Sequence, residues 1–371
     1  MFKVGANSES VTADTGRQPK LILTPEEPMS KSTIPQQTTV FCGIDVSAAT
    51  LDVALIEPDR ALQHRQFSNC ARGHKALIGW LGKCQGRVRV SLEATGTYSL
   101  DLALALHAAP HTELAVLNPK VANRFAQTMR RSKTDAADAM VLAEYSQRMP
   151  FLAWTPPSLS GLRLRALGRH IAALVTEHTR EQNRLHASQS CSQAAPRCVL
   201  QDLKGALAAL ERRIVKMRHA ARQLIQADAA LEQRFRLLTG MPGIGETSAM
   251  AILGELALLA PQLTVRQWVA HSGLDPVHRQ SGTSVHTRSR ISRAGNRYLR
   301  RALYMPALTA VRWDPHMKGF YEALQRRHKT KLQAIIAVAR KMLHAIYGVL
   351  GSRTPYDGNK LFPKLKIASA L

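Results

Sequence analysis

Apolar residues first fall into a regular pattern at Val40. Val40–Ile44 and Leu51–Ile56 read as strands joined by a tight turn at Ser47–Thr50, and a weaker strand follows at Gln63–Phe67. A helix over His74–Gly82 leads into the β-branched strand Val88–Leu92, which ends at Glu93. A helix near Ser99–Ala108 and a strand at Leu114–Leu117 come next, the strand stopped by Asn118-Pro119. Val121–Thr128 follows the sheet, and after the run Arg130–Lys133 a helix opens at Asp135 and continues to about Gln147. Thr134 or Ser132 can cap that helix. Asp135 and Asp138, three apart, stand on one of its faces.

Pro156-Pro157 marks a boundary. Beyond it Leu164, Leu167, Ile171 and Leu174 alternate spacings of three and four, with Leu185 in register, and Leu203, Leu207, Leu210, Ile214, Met217, Ala221 and Leu224 repeat the alternation. That is a coiled-coil seam. Its partner is either the same chain, as a hairpin, or a second chain, as a dimerisation arm; heptads do not distinguish them. At Leu237 the stretch LLTGMPGIGETSAMAIL has the form of a helix-hairpin-helix, whose Gly243 and Gly245 turn aims backbone N–H groups at a phosphate. The same residues also make an ordinary interhelical turn. A helix around Val265–Ala270 precedes Ser272–Arg301, poor in aliphatic residues and rich in arginine, and Tyr298–Ala310 and Lys331–Leu350 read as closing helices.

Three strands followed by alternating helix and strand is the order of a ribonuclease-H-like sheet, shared in part by other mixed α/β folds. The expected class is α/β plus α. The expected organisation is a disordered leader at 1–39, a catalytic α/β domain at 40–155, coiled-coil helices at 156–235, a mostly helical domain at 236–355 and a loose tail at 356–371.

Charge narrows the function. Lys and Arg number 51 against 26 Asp and Glu, a net +25 over 371 residues, which points to a polyanionic partner. Because the excess is spread along the whole chain, nucleic acid fits better than a membrane surface. No apolar run appears long enough for a bilayer span and no signal-peptide core precedes Val40, so the expected location is the cytoplasm. Five cysteines without ligand spacing suggest reduced thiols and no zinc.

Within this basic chain four carboxylates stand out: Asp45 in the first strand, Glu93 at the end of another, and Asp135 with Asp138 on a helix. Four hard oxygen donors suit Mg²⁺ or Mn²⁺, and ions held among them could clamp the entering and leaving oxygens of a phosphodiester. Taken singly, each has a plain structural reading as turn former, strand-end charge or solvated helix face. Asp52 and Asp101 rank lower because each begins an element. Arg279, Arg288, Arg290, Arg293, Arg297, Arg300 and Arg301, set among small hydroxyl residues, form either a solvated basic loop or a grip on a phosphate backbone.

GIDVS with Asp45, LEATGTY with Glu93, KTDAADA with Asp135 and Asp138, the MPGIG turn and QSG…RISRAGNRYLRRAL, in that order over about residues 40 to 355, resemble the DEDD transposases of the insertion-sequence-one-ten family, the group that includes Piv-type DNA invertases. The resemblance implies a RuvC-like amino domain whose four carboxylates bind Mg²⁺ and a carboxy-terminal domain that supplies a serine. Here the serine is Ser281, attacking DNA to form a phosphoserine link. It further implies homo-oligomers on DNA and direction by a structured guide RNA. Many relatives carry Ser-Gly-Gly where this chain has Ser281-Gly282-Thr283, and Ser284 is a nearby competing hydroxyl. A RuvC-like nuclease with water as nucleophile is the alternative. A sugar-kinase or actin-type ATPase shares the GID strand but lacks its second phosphate loop here, and a DNA-packaging protein would explain the charge without the carboxylates.

Overall fold

A computed structural model of the chain describes residues 39–57, 61–94, 96, 98–129, 134–190, 194–281 and 285–362, with the side chains of 278–281 and 285–289 excepted. The expected leader lies outside these residues. The chain divides into two compact units, Met1–Leu152 and Ala153–Leu371.

The first unit contains β1 (Thr39–Val46), β2 (Thr50–Ile56), β3 (Gln63–Ser68), α1 (Ala71–Leu81), β4 (Arg87–Glu93), α2 (Leu100–Ala108), β5 (Thr112–Leu117), α3 (Pro119–Met129) and α4 (Asp135–Arg148). Its five strands lie in the order β3-β2-β1-β4-β5, with β1, β2 and β3 antiparallel to one another in succession and β4 and β5 parallel to β1. Both the meander and the later alternation of helix and strand match the expected mixed α/β order. The central strands read as near-continuous apolar runs because both their faces are covered: Val40, Cys42, Ile44, Leu51, Val53, Leu55, Val90 and Leu92 are all buried.

α4 crosses β1, β2 and β4. It comes so close to β1 that a Cβ on Gly43 would sit 2.1 Å from the Ala139 carbonyl oxygen and 2.2 Å from the Ala143 nitrogen. Glycine is therefore required here, and Ala54, Ala139 and Ala143 supply the small side chains around the contact. At its far end α4 is pinned by Ser146, whose hydroxyl donates to the Arg89 carbonyl at 3.1 Å.

The second unit begins with α5 (Leu159–Ser190) and α6 (Arg197–Gln226), which pack on each other. Leu174, Leu210 and Ile214 bury together there, beside Val175 and Met217, so the apolar seam finds a partner within the same chain. α7 (Ala229–Thr239), α8 (Glu246–Leu256) and α9 (Val265–Ser272) follow, then the antiparallel ribbon β6 (Pro276–Ser281) and β7 (Val285–Ile291), and finally α10 (Arg297–Trp313), α11 (Pro315–Arg326), α12 (Lys331–Ser352) and α13 (Gly358–Leu361). The ribbon was not expected, since its sequence lacks the apolar alternation that marks a half-buried strand. The tail expected to be loose beyond Pro355 packs as far as Phe362: the Tyr356 hydroxyl donates to Asp314 Oδ2 at 2.6 Å, and Phe362 is buried beside Phe320. α12 is long and apolar enough by composition to cross a membrane, which corrects the reading that no run has that length; half of it is buried, through residues such as Ala334, Val338, Met342 and Ile346. Cys42, Cys70, Cys84 and Cys198 are free thiols, and Cys191 lies outside the described residues.

A buried carboxylate ties the second unit together. Glu255 of α8, 3% exposed, accepts from Arg169 Nε at 2.7 Å and Nη2 at 3.0 Å and from Asn296 Nδ2 at 2.6 Å. Burial alone would raise its pKa, but these hydrogen bonds and the charges of Arg169 and Arg165 hold it below the usual range. Asn296 is also the N-cap of α10, its Oδ1 accepting from the Tyr298 and Leu299 N–H groups.

Gly43→Ala is expected to destabilise the first unit by about 3 kcal/mol, the upper range for overpacking, seen as a lower melting temperature of the full chain. Gly79→Ala in α1, where a Cβ meets nothing within 4 Å, should be neutral or stabilising. Equal effects at the two positions would contradict the close-approach argument.

Candidate active site

Asp45 is the penultimate residue of β1, and Glu93 is the last residue of β4. The parallel register sets Ile44 beside Leu92, so Asp45 and Glu93 follow at the same carboxyl edge of the sheet. Asp135 and Asp138 occupy the first turn of α4, whose N-cap is Thr134; its hydroxyl accepts from the Ala137 N–H at 3.2 Å. Ser132, the other capping candidate, lies outside the described residues.

The other three acids act electrostatically on Asp45. Burial raises the Asp45 carboxyl, the charges of Asp135 and then Asp138 raise it further, and Glu93 adds a smaller push. A hydrogen bond from the Val46 N–H opposes them, and the pKa goes from 3.8 to about 6. Among the described residues no three His, Cys, Asp or Glu side chains converge closely enough to hold one ion between them. The other three carboxylates are thus within charge reach of Asp45 without forming a ligating cluster among the described residues. Their mutual repulsion and all-oxygen chemistry fit a hard divalent cation better than any soft metal.

The turn that follows Asp45 is braced by residues the sequence did not single out. Ser47 Oγ accepts from the Thr50 N–H at 2.8 Å, closing the β1–β2 turn. Asn69 Nδ2 donates to the Ser47 carbonyl at 2.8 Å and to the Tyr98 carbonyl at 3.1 Å, while Asn69 Oδ1 lies 2.8 Å from His74 Nε2. A carbonyl oxygen can only accept, so His74 carries a proton on Nε2; burial lowers its pKa, and the brace works with a neutral ring. Asp52 does not begin an element, as its low ranking assumed. It lies inside β2 directly across from Asp45, yet it is engaged with β3 through Gln66 Nε2 and His64 Nε2, each at 3.2 Å.

In the second unit the candidates part ways. Ser281 ends β6 opposite Val285. Its side chain, those of Arg279 and Arg288, and Ser284 lie outside the described residues. Arg297 is exposed and stands over the Tyr298 ring, 5.0 Å from its centroid. Arg290 and Arg293 are exposed. Arg300 instead donates to the Ser272 carbonyl at 2.7 Å, and Arg301 to Thr176 Oγ1 at 3.1 Å. Gly243, at φ +89°, packs so that a Cβ would lie 2.5 Å from the Pro306 carbonyl oxygen, a role in helix packing; Gly245 is the open N-cap of α8. Gly43 and Asn69 were missed. A lone glycine inside an apolar strand was the available signal for Gly43, whereas Asn69 contacts residues too distant in sequence to leave one.

Residues 42–188 match a family described as a transposase, of the IS110 DEDD type, and residues 235–322 match one described as a transposase of the IS116/IS110/IS902 family. The chain is 30% identical to the pilin gene-inverting protein of Moraxella bovis over 340 residues, 85% of this chain and 97% of that one, and 29% identical with the same coverage to its counterpart in Moraxella lacunata. It is also 31% identical over 121 residues to the 43.6 kDa protein of insertion element IS110 in Streptomyces coelicolor, a match to 33% of this chain and 30% of that one. With both units matched and near-complete alignment to the gene-inverting proteins, the chain belongs to the IS110 family of transposases.

Proposed function

We propose that this protein cuts and rejoins DNA strands by divalent-cation-dependent transesterification through a serine–DNA link. The observation that carries the reading is the gathering of Asp45, Glu93, Asp135 and Asp138 from three elements to one edge of a sheet, in a chain of net charge +25. Asp45, Glu93, Asp135 and Asp138 would hold Mg²⁺, with Mn²⁺ as substitute. The chemistry such an ion supplies is polarisation of the phosphoryl oxygens and neutralisation of charge in the transition state.

Ser281 Oγ forms the new bond to phosphorus, a phosphorus–oxygen bond to deoxyribose breaks, and the hydroxyl proton passes to the leaving oxygen. One ester replaces another, so a different strand's hydroxyl can reverse the step without ATP. Exposed arginines such as Arg290, Arg293 and Arg297 offset phosphate charge. The family resemblance supports direction by a structured guide RNA and homo-oligomeric assembly on DNA in the cytoplasm. It also supports α5 and α6 as a coiled-coil arm.

Cells carrying the gene with its native flanks should yield protein covalently attached to DNA. Ser281→Ala and Asp45→Asn are expected to lower the adduct by about a thousandfold or more, and Ser284→Ala to keep it. DNA cut without attached protein, persisting in Ser281→Ala but not in Asp45→Asn, would instead identify water as the nucleophile.

Asp45 also sets a pH dependence. Its folded pKa of about 6 exceeds the ordinary 3.8, so its contribution to stability is intact below about pH 3.8 and is lost as pH rises through 6. Without divalent ions at pH 7.5, Asp45→Asn should therefore melt higher than wild type, by an amount worth up to about 2 kcal/mol once partial exposure is allowed for; near pH 4 the two should coincide. Mg²⁺ should raise the wild type more than the variant. Equal gains would remove Asp45 from the cation site.

A further inference from the structure

An open cavity of about 600 Å³ lies in the second unit, between the root of the β6–β7 ribbon and the first turns of α12. Its walls combine two chemistries. Leu274, Ile291, Leu332 and Ile336 give an aliphatic surface, and Arg290, Arg293, Lys329 and Arg340 bring four positive charges, with no acid among the lining residues. Among the described residues, none of the four cations is within ion-pair distance of a carboxylate. Leu332 remains 60% exposed despite its apolar side chain.

The cavity is also built. Arg293 is held in the left-handed region at φ +53°, a conformation that costs energy for a side-chain-bearing residue. Its N–H donates to the Gly273 carbonyl at 3.1 Å, and the preceding Ser292 is fixed to Asp275 through both its N–H and its hydroxyl. Gly273, at φ +67°, leaves a Cβ no room against the Ala294 carbonyl, 2.5 Å away.

We propose that this cavity takes one unstacked nucleotide of a bound DNA strand, its base against the aliphatic wall and its flanking phosphates on Arg290, Arg293, Lys329 and Arg340. Bare phosphate would leave the apolar wall without a partner, and a hydrocarbon ligand would leave four charges without one. A nucleotide supplies both, at a size within the usual range for ligand pockets. Charge complementarity and continuity with the arginine-rich segment that forms the ribbon favour DNA as the source. The proposal rests on the DNA-acting reading above but not on strand cleavage.

The test is fluorescence-anisotropy binding of the full-length protein, at fixed salt, to a six-nucleotide single-stranded DNA and to its fully abasic analogue, which keeps the phosphates and loses the bases. The intact strand should bind about tenfold tighter. Leu332→Ser, at an exposed position and checked for an unchanged melting temperature, should bring the ratio close to one while leaving abasic binding unaltered; Arg340→Gln should weaken both strands. Equal binding of the two strands by wild type, or a ratio that survives Leu332→Ser, would reduce the cavity to a charged surface and overturn the proposal. RNA of the same sequence showing the base preference while DNA shows none would overturn DNA as the source. A base preference that persists in a protein forming no covalent adduct would sustain the cavity assignment while removing the serine step, so the two readings fail separately.

Discussion

The first unit depends on a contact between two main chains. α4 carries two of the four carboxylates, and its position over the sheet is set where its backbone meets β1 at Gly43. With no side chain between them, the helix lies as close to the strand as backbone sterics permit. That brings its first turn, with Asp135 and Asp138, into the electrostatic neighbourhood of Asp45. Small residues at Ala54, Ala139 and Ala143 extend the same logic along the contact. Packing thus both buries Asp45 and sets it beside other acids, and the two together raise its pKa.

The surplus of positive charge and this acidic edge serve different ends. Arginines on the surface make the molecule attractive to a polyanion at long range. Carboxylates at one edge of the sheet would repel that polyanion at close range unless cations intervene. Glu255 shows the contrasting way of keeping an acid inside a basic protein: three donor atoms from Arg169 and Asn296 hold it ionised. Asp45 is held instead by a backbone N–H, that of Val46, and burial together with the charges of Asp135, Asp138 and Glu93 pushes it the other way.

The sheet was legible because its strands are apolar runs bounded by turns, and the order of elements then fixed which acids lie near one edge. Asp45, Glu93, Asp135 and Asp138 could be named for that reason, each sitting at a place that local pattern specifies. The β6–β7 ribbon was not legible, because a ribbon with little aliphatic content leaves no alternating signature. Arginine roles were legible only as a group. Nothing local separates Arg300, committed to the Ser272 carbonyl, from Arg297, exposed three residues earlier. Asn69 joins the β1–β2 turn, α1 and the segment before α2, and a residue whose partners lie 5, 22 and 29 positions away has no pattern to be read.

Asn296 caps α10 with one atom of its side chain and holds Glu255 with the other. The two duties need different chemistry, a carbonyl oxygen for the cap and an N–H₂ group for the carboxylate. Deamidation, the slow spontaneous ageing of asparagine to aspartate, keeps the shape of the side chain and preserves the cap. It replaces the donor facing Glu255 with an acceptor, setting two carboxylates against each other in a site that burial has largely stripped of water. Conversion of that one side-chain amide would therefore set like charges against each other where α8 meets the start of α10.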